Sequence, residues 1–229
     1  MKKIKESDEA VGTHVIDSLV QELVKERKSG ELETDEHFTA RWKSELHKSW
    51  DQFKARVKSG LNILAKREKL HSDSRFQHSI ELIENRVLLE ESLKENKTLQ
   101  EIFKFSDEEM VQFYEEGLAS YQRENPEEAS DVFMLLTQLN PKVGAFWLGL
   151  GAAEEKRGEL KDAVNAYLLG AEIETRTLSG YLQGARCLLI LDKKEKAREV
   201  LKRALERSDQ ESSLSKDKEL VQEMLTKMM

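Results

Sequence analysis

A single cysteine among 229 residues, Cys187, leaves no partner for an internal disulfide and fits a reducing compartment. Only two prolines and eleven glycines punctuate the chain, too few for the many turns of a β-sandwich. No apolar run approaches membrane-spanning length, and Lys2-Lys3-Ile4-Lys5 lacks the apolar stretch of a signal peptide. The expectation is a cytoplasmic protein without stable membrane insertion. A basic excess is also missing: the formal net charge of −7 weighs against a general nucleic-acid binder.

Catalytic and metal-binding patterns are equally sparse. None of the histidines, His14, His37, His47, His71 and His78, stands three or four residues from another, as a helical metal pair requires. Cys187 lies amid Leu188, Leu189 and Ile190 with no histidine near it in sequence, which marks a small core residue rather than a nucleophile. Gly149-Leu150-Gly151 lacks the Gly-Lys-Ser of a phosphate loop and falls mid-helix, where close helix packing explains it. Neither an enzyme nor a metal or other cofactor is expected.

What the chain does have is a repeat. Ala129, Ala163 and Ala197 stand 34 residues apart, as do Phe133, Tyr167 and Leu201. Phe113, Trp147 and Tyr181 form a third column; Gly117, Gly151 and Ala185 form a fourth. Small side chains at two columns let paired helices approach, and large ones at the others fill the seams between pairs. That is the tetratricopeptide pattern, and three copies suffice for a stack. Departures are Glu116 and Gly184 at the leucine column, Ser120, Glu154 and Leu188 at the tyrosine column, and Thr175 and Asp209 where prolines would close copies two and three as Pro141 closes copy one.

The predicted fold is all-α: three tetratricopeptide-like helix pairs in a solenoid, an N-terminal helical hairpin extension and a C-terminal capping helix. Residues 1–95 form the coiled-coil-like extension and 96–229 the repeat domain. Val11, Val15, Leu19 and Leu23 give residues 10–28 an apolar stripe at helical spacing. Thr34 opens a second helix whose Phe38, Trp42, Leu46, Trp50, Phe53, Val57, Leu61 and Leu64 form a seam to about residue 70. A third helix spans about residues 76–94, with Phe76, Ile80, Ile83, Val87 and Leu93 on one face. The extension packs on itself or on the repeats.

Between Arg41 and Leu70 stand nine Lys/Arg against three Asp/Glu. Two readings remain: a solvated face opposite the seam, or a docking surface for an acidic partner such as the first repeat, with Asp107, Glu108, Glu109, Glu115, Glu116, Glu127 and Glu128. Ser106-Asp107-Glu108-Glu109 is a capping box opening the first repeat, and Asn125-Pro126 opens its second helix. The final helix carries Leu220, Val221, Met224, Leu225 and Met228.

In such a stack the first helix of each repeat lines a concave surface on which a peptide can lie. The face opposite the Phe113/Trp147/Tyr181 seam offers Tyr114, Leu118 and Tyr121, then Leu148, Ala152 and Glu155, then Leu182, Arg186 and Leu189. These are the candidate client-peptide groove, unless some are buried against the N-terminal helices. Basic residues for gripping a free carboxylate are nearly absent, Arg186 excepted, so the groove reads apolar side chains.

The phrases Phe146-Trp147-Leu148-Gly149-Leu150-Gly151-Ala152, Ala166-Tyr167-Leu168-Leu169-Gly170-Ala171 and Gly184-Ala185-Arg186-Cys187-Leu188-Leu189 resemble the class II chaperones of bacterial type III secretion, the SycD/LcrH type. So does the lead-in from Thr98 through Ser106 to Tyr121, and the likeness covers roughly residues 97–207. It implies that the repeats bind a short amphipathic segment of a hydrophobic translocator and keep it soluble and unassembled before export. Tyr114, Leu118 and Tyr121 match that family's first-repeat groove positions. The family usually has a short leading helix, often used for dimerisation. The long extension here therefore suggests several roles: covering the groove, replacing the dimer contact of a homodimer, or binding another chaperone or an export-apparatus component. The alternative to a chaperone of secreted translocators or effectors is a tetratricopeptide adaptor bridging parts of a secretion machine.

Overall fold

A computed structural model of the chain describes residues 51–52, 54–66, 74–84, 97–208 and 215–228. The predicted helix over residues 10–28, the stretch 34–50 and residues 85–96 lie outside the described residues. Every regular element among those described is a helix. Residues 54–65 form α1, Ser74–Glu84 α2 and Leu99–Ile102 the one-turn α3. The repeats follow as α4 (Asp107–Gln122) with α5 (Pro126–Leu139), α6 (Gly144–Lys156) with α7 (Leu160–Ile173), and α8 (Ser179–Ile190) with α9 (Lys194–Ser208). Ser215–Lys227 is α10.

Local chemistry sets several boundaries. Ser106 accepts the backbone N–H of Glu109 while the Glu109 carboxylate accepts that of Ser106, closing the predicted box. Thr98 and Glu101 form a second box at α3, so the lead-in segment is a short helix. Asn125 caps α5, with Pro126 at its first position.

The turn inside each repeat has one design. Glu124, Gly158 and Asp192, 34 residues apart, all take the left-handed conformation, with φ of 60°, 83° and 56°. The next residue's N–H then reaches back to the last turn: Asn125 to Ser120 O, Glu159 to Glu154 O, and Lys193 to Leu188 O. Those bonds satisfy carbonyls that the helix end leaves open. Only the middle copy places glycine there.

Helix pairing follows the predicted columns. A Cβ on Gly151 would stand 2.6 Å from the Tyr167 ring, and one on Gly117 would stand 2.9 Å from that of Phe133. Gly149 closes on the same Phe133 ring from the next repeat, 2.5 Å from such a Cβ. Phe133 thus lies between glycines of α4 and α6, and it is fully buried. Phe113 and Tyr181 fill their seams. Trp147 differs: it is only half-buried, and its indole donates to Pro141 O at 2.9 Å. Its neighbour Phe146 is the buried ring instead, 5.8 Å from Tyr114. A tryptophan has an N–H to satisfy, whereas a phenylalanine enters the core without one.

The N-terminal helices share the core of the first repeats. Val57, Leu61 and Leu64 from α1 and Phe76, Ile80 and Ile83 from α2 join one buried cluster with Phe105, Phe113 and Leu135. Gly60 brings α1 against the backbone of Asp131 and the side chain of Leu135. Phe76, Phe105 and Phe113 pack with ring centroids 5.2 to 5.9 Å apart, each such pair contributing about 1 kcal/mol beyond its buried area. Of the two open possibilities, packing on the repeats is therefore observed. The charge contact is narrower than a broad basic face: Arg56 binds Asp131 and Glu154, and Arg75 of α2 binds Glu109. Apart from Glu109, the acceptors are not those of the anticipated acidic set.

At the other end, Val221 of α10 is buried, while Leu220 is 51% exposed. Asp217 of α10 accepts from the Leu178 N–H at 2.9 Å and from Thr177. That carboxylate helps cap α8, whose N-cap residue Leu178 has no capping side chain, while Thr177 accepts from the Ser179 N–H at 3.1 Å.

Candidate functional site

The nine sequence-selected residues lie on the first helices of the three repeats, α4, α6 and α8. Tyr114 is half-buried, its ring 5.7 Å from Phe133 and 5.8 Å from Phe146. Burial raises its hydroxyl pKa above the ordinary value. Leu118, one turn on, is 37% exposed. Tyr121 lies under Lys156 of α6, whose ammonium stands 4.3 Å from the ring centroid and also binds Tyr121 O and Glu124. Lys156 thereby joins α4 to α6.

A second link joins α6 to α8. Glu155 accepts from Arg186 at 2.5 Å and from the Tyr167 hydroxyl at 2.9 Å. Burial, followed by the nearby Glu155 carboxylate, pushes the Tyr167 hydroxyl pKa far above its usual value. The Arg186 side chain is 53% exposed and that of Glu155 only 20%. Leu148 turns toward α7 and α8, its side chain filling the space above Gly170 and Gly180. Ala152, Leu182 and Leu189 are half-buried.

Two apolar residues on the same helices were not selected from sequence: Val111 is 57% exposed and Ile190 60% exposed. Val111 stands three residues before Tyr114 and seven before Leu118, so helical spacing alone placed it on that face. Ile190 shares its 34-residue column with Lys156, which was also not selected. Cys187 is fully buried, its thiol pKa pushed up to about 11 chiefly by burial. Among the described residues no group of His, Cys, Asp and Glu is placed to hold a metal ion, and no helix is long and apolar enough to cross a membrane. A cleft of about 220 Å³ lies elsewhere, between α1 and α2, lined by Lys54, Lys58, Ile83 and Glu84 among others.

Antiparallel helix pairs repeating every 34 residues, with apolar and aromatic side chains left open on their first helices, define a tetratricopeptide-type binding solenoid. No family model matches the chain. Over 113 residues it is 28% identical to the low calcium response locus protein H of Yersinia pestis, covering 49% of this chain and 67% of that protein. The structure of the type III secretion translocator chaperone SycD of Yersinia enterocolitica superposes with a TM-score of 0.51 at 26% identity, over 56% of this chain and 96% of that one. A type III secretion complex from Aeromonas hydrophila gives a TM-score of 0.55 at 26% identity, over 61% and 93%. A CopN–Scc3 complex gives 0.52 at 26%, over 56% and 75%. The chain is thus similar, in sequence and in fold, to the SycD/LcrH-type translocator chaperones, as its repeat motifs implied.

Proposed function

We propose that this protein is a non-catalytic, cytoplasmic type III secretion chaperone. It holds a short apolar segment of a translocator-like client on the first helices of its repeats, keeping the client soluble and unassembled before export. The observation that carries this reading is the apolar stripe on α4, where the exposed Val111 and Leu118 alternate with the half-buried Tyr114 and Tyr121 at helical spacing. The likeness to low calcium response locus protein H and to the translocator chaperone SycD supports it.

Division into an extension, residues 1–95, and a repeat unit, 96–229, belongs to the same reading. Because α1 and α2 share the first repeat's core, removing them would uncover Phe105, Phe113 and Leu135. Client tests therefore use the full chain. Co-expression with hydrophobic translocators from the same genome should render at least one soluble and co-purifying. Replacing the exposed Val111 and Leu118 by Asp should abolish that rescue while helicity is retained; undiminished rescue would remove the groove from consideration.

A second reading, an adaptor bridging secretion components, draws on the likeness to the CopN–Scc3 complex. It predicts that the protein joins two partners that are each soluble alone.

A further inference from the structure

The open face is not uniformly apolar. On α8, Leu182 and Leu189 flank Arg186, one helical turn to either side. On α6, Glu155 stands opposite and takes the Arg186 guanidinium at 2.5 Å. A peptide crossing from Val111, Leu118 and Tyr121 on α4 to Leu182 and Leu189 on α8 has to pass this ion pair.

The two partners are not equally available. One Glu155 oxygen accepts from Arg186 and the other from Tyr167, and its side chain is mostly shielded. Arg186 is more than half exposed, and among the described residues its one hydrogen bond is that to Glu155. A guanidinium carries five N–H donors and accepts nothing. The bonding capacity left at this point is therefore a donor capacity with positive charge. Lys156, 31% exposed, adds a second cation on the neighbouring helix; its own carboxylate partner, Glu124, lies out in solvent at 80% exposed.

Laying an apolar side chain over Arg186 would strip water from its N–H groups and return nothing. A lysine or arginine would meet like charge. A carboxylate would accept charge-assisted bonds in bidentate geometry, and an amide oxygen would accept a single one. We propose that Arg186 is a specificity-determining residue of the groove. The client segment it selects has apolar residues at both ends and an acceptor, Asp or Glu foremost and Asn or Gln next, between them. This inference rests on the groove reading above and defines the client's chemistry beyond it.

The test is selection from a display library of short, fully randomised peptides on the full-length protein. Wild type should enrich peptides with an acidic or amide residue between two apolar anchors, and individual winners should lose about tenfold in affinity when that residue becomes Lys. Arg186→Leu should lose the central acceptor while keeping the apolar anchors, and Arg186→Glu should favour a central basic residue. Apolar enrichment that is the same for wild type and both variants would overturn the role of Arg186 and leave the groove standing. No enrichment by wild type, or enrichment that survives Val111→Asp with Leu118→Asp, would overturn the groove reading and this inference with it.

Discussion

Arg56 of α1 reaches Glu154 of α6 across 98 residues of sequence, Nη2 to Oε1 at 2.7 Å. The same guanidinium donates to Ser130 Oγ and, through Nε, to Asp131 at 3.2 Å, while Ser130 and Arg157 also donate to Glu154. The N-terminal helix is thereby fastened to the junction of the first and second repeats. The Glu154 side chain is 2% exposed and that of Arg56 26%, so the pair is only partly screened by water. Glu154 stands in the column that holds Ser120 in copy one and Leu188 in copy three. A carboxylate survives there because three donors converge on it.

Arg56→Ala should therefore destabilise the protein by about 1–3 kcal/mol, since Glu154 keeps Ser130 and Arg157 but loses a charged donor. Glu154→Leu alone should also cost stability by stranding part of Arg56 and Arg157. The double variant Arg56→Met with Glu154→Leu should recover much of the loss, because an apolar pair needs no desolvated charge. Urea unfolding of wild type, Arg56→Met, Glu154→Leu and the double variant measures the coupling; additive single effects would show that the contact contributes nothing.

Gly149→Ala sets two effects against each other. Alanine favours a helix over glycine by about 1 kcal/mol, yet its Cβ would stand 2.5 Å from the Phe133 ring. Phe133 is already confined from the other side by Gly117, so it cannot retreat, and overpacking costs about 1–3 kcal/mol. A net loss of stability is expected by thermal melting. A gain would mean that the α4–α6 spacing adapts.

The intra-repeat turns give a cleaner pair of substitutions. Gly158 has nothing within 4 Å of a Cβ, so Gly158→Ala is resisted by its φ of 83° alone, at about 1 kcal/mol. Asp192→Gly, at φ 56°, relieves that strain and should stabilise by a fraction of the same amount. Opposite signs in denaturant midpoints are the expected outcome.

Stability should fall at both ends of the pH scale. Burial would raise the Glu154 pKa, but the Ser130 hydrogen bond and the Arg56 and Arg157 charges outweigh it and hold it below 4.5. Its contribution is present above that ordinary value and is lost as pH falls through the depressed one. Tyr181 is raised to about 12, first by burial and then by its bond to Glu172, and Tyr167 is raised further. Their contribution is whole below pH 10, the ordinary phenol value, and drains away as pH rises toward 12. Glu154→Gln should flatten the acid limb and Tyr181→Phe the alkaline limb of a stability–pH profile.

The placement of the candidate groove residues was legible in sequence because it follows the repeat. The columns placed Tyr114, Leu118, Ala152, Glu155, Leu182, Arg186 and Leu189 on the first helices, where the structure has them. They did not say which side chains stay open. Leu148 shares its column with Tyr114 and Leu182, yet it leans over Gly170 and Gly180, because two glycines in the neighbouring helices leave room there. Lys156, missed in the sequence, matters through a ring and a carbonyl 35 residues away.

The sequence by itself determined whatever depends on near neighbours or on strict period: helices, the capping box at Ser106, and the small residues opposite Phe133 and Tyr167. Each is a short-range steric or hydrogen-bonding requirement, and the small-residue columns recur every 34 residues. Tertiary structure alone decided the rest: that α1 covers Leu135, that Arg56 takes Glu154 rather than the acidic run of α4, and that Asp217 caps α8. Those contacts join segments 39 to 98 residues apart in sequence. Nothing local distinguishes one carboxylate from another as their partner; only packing the helices together brings one within hydrogen-bond reach and takes water away from it.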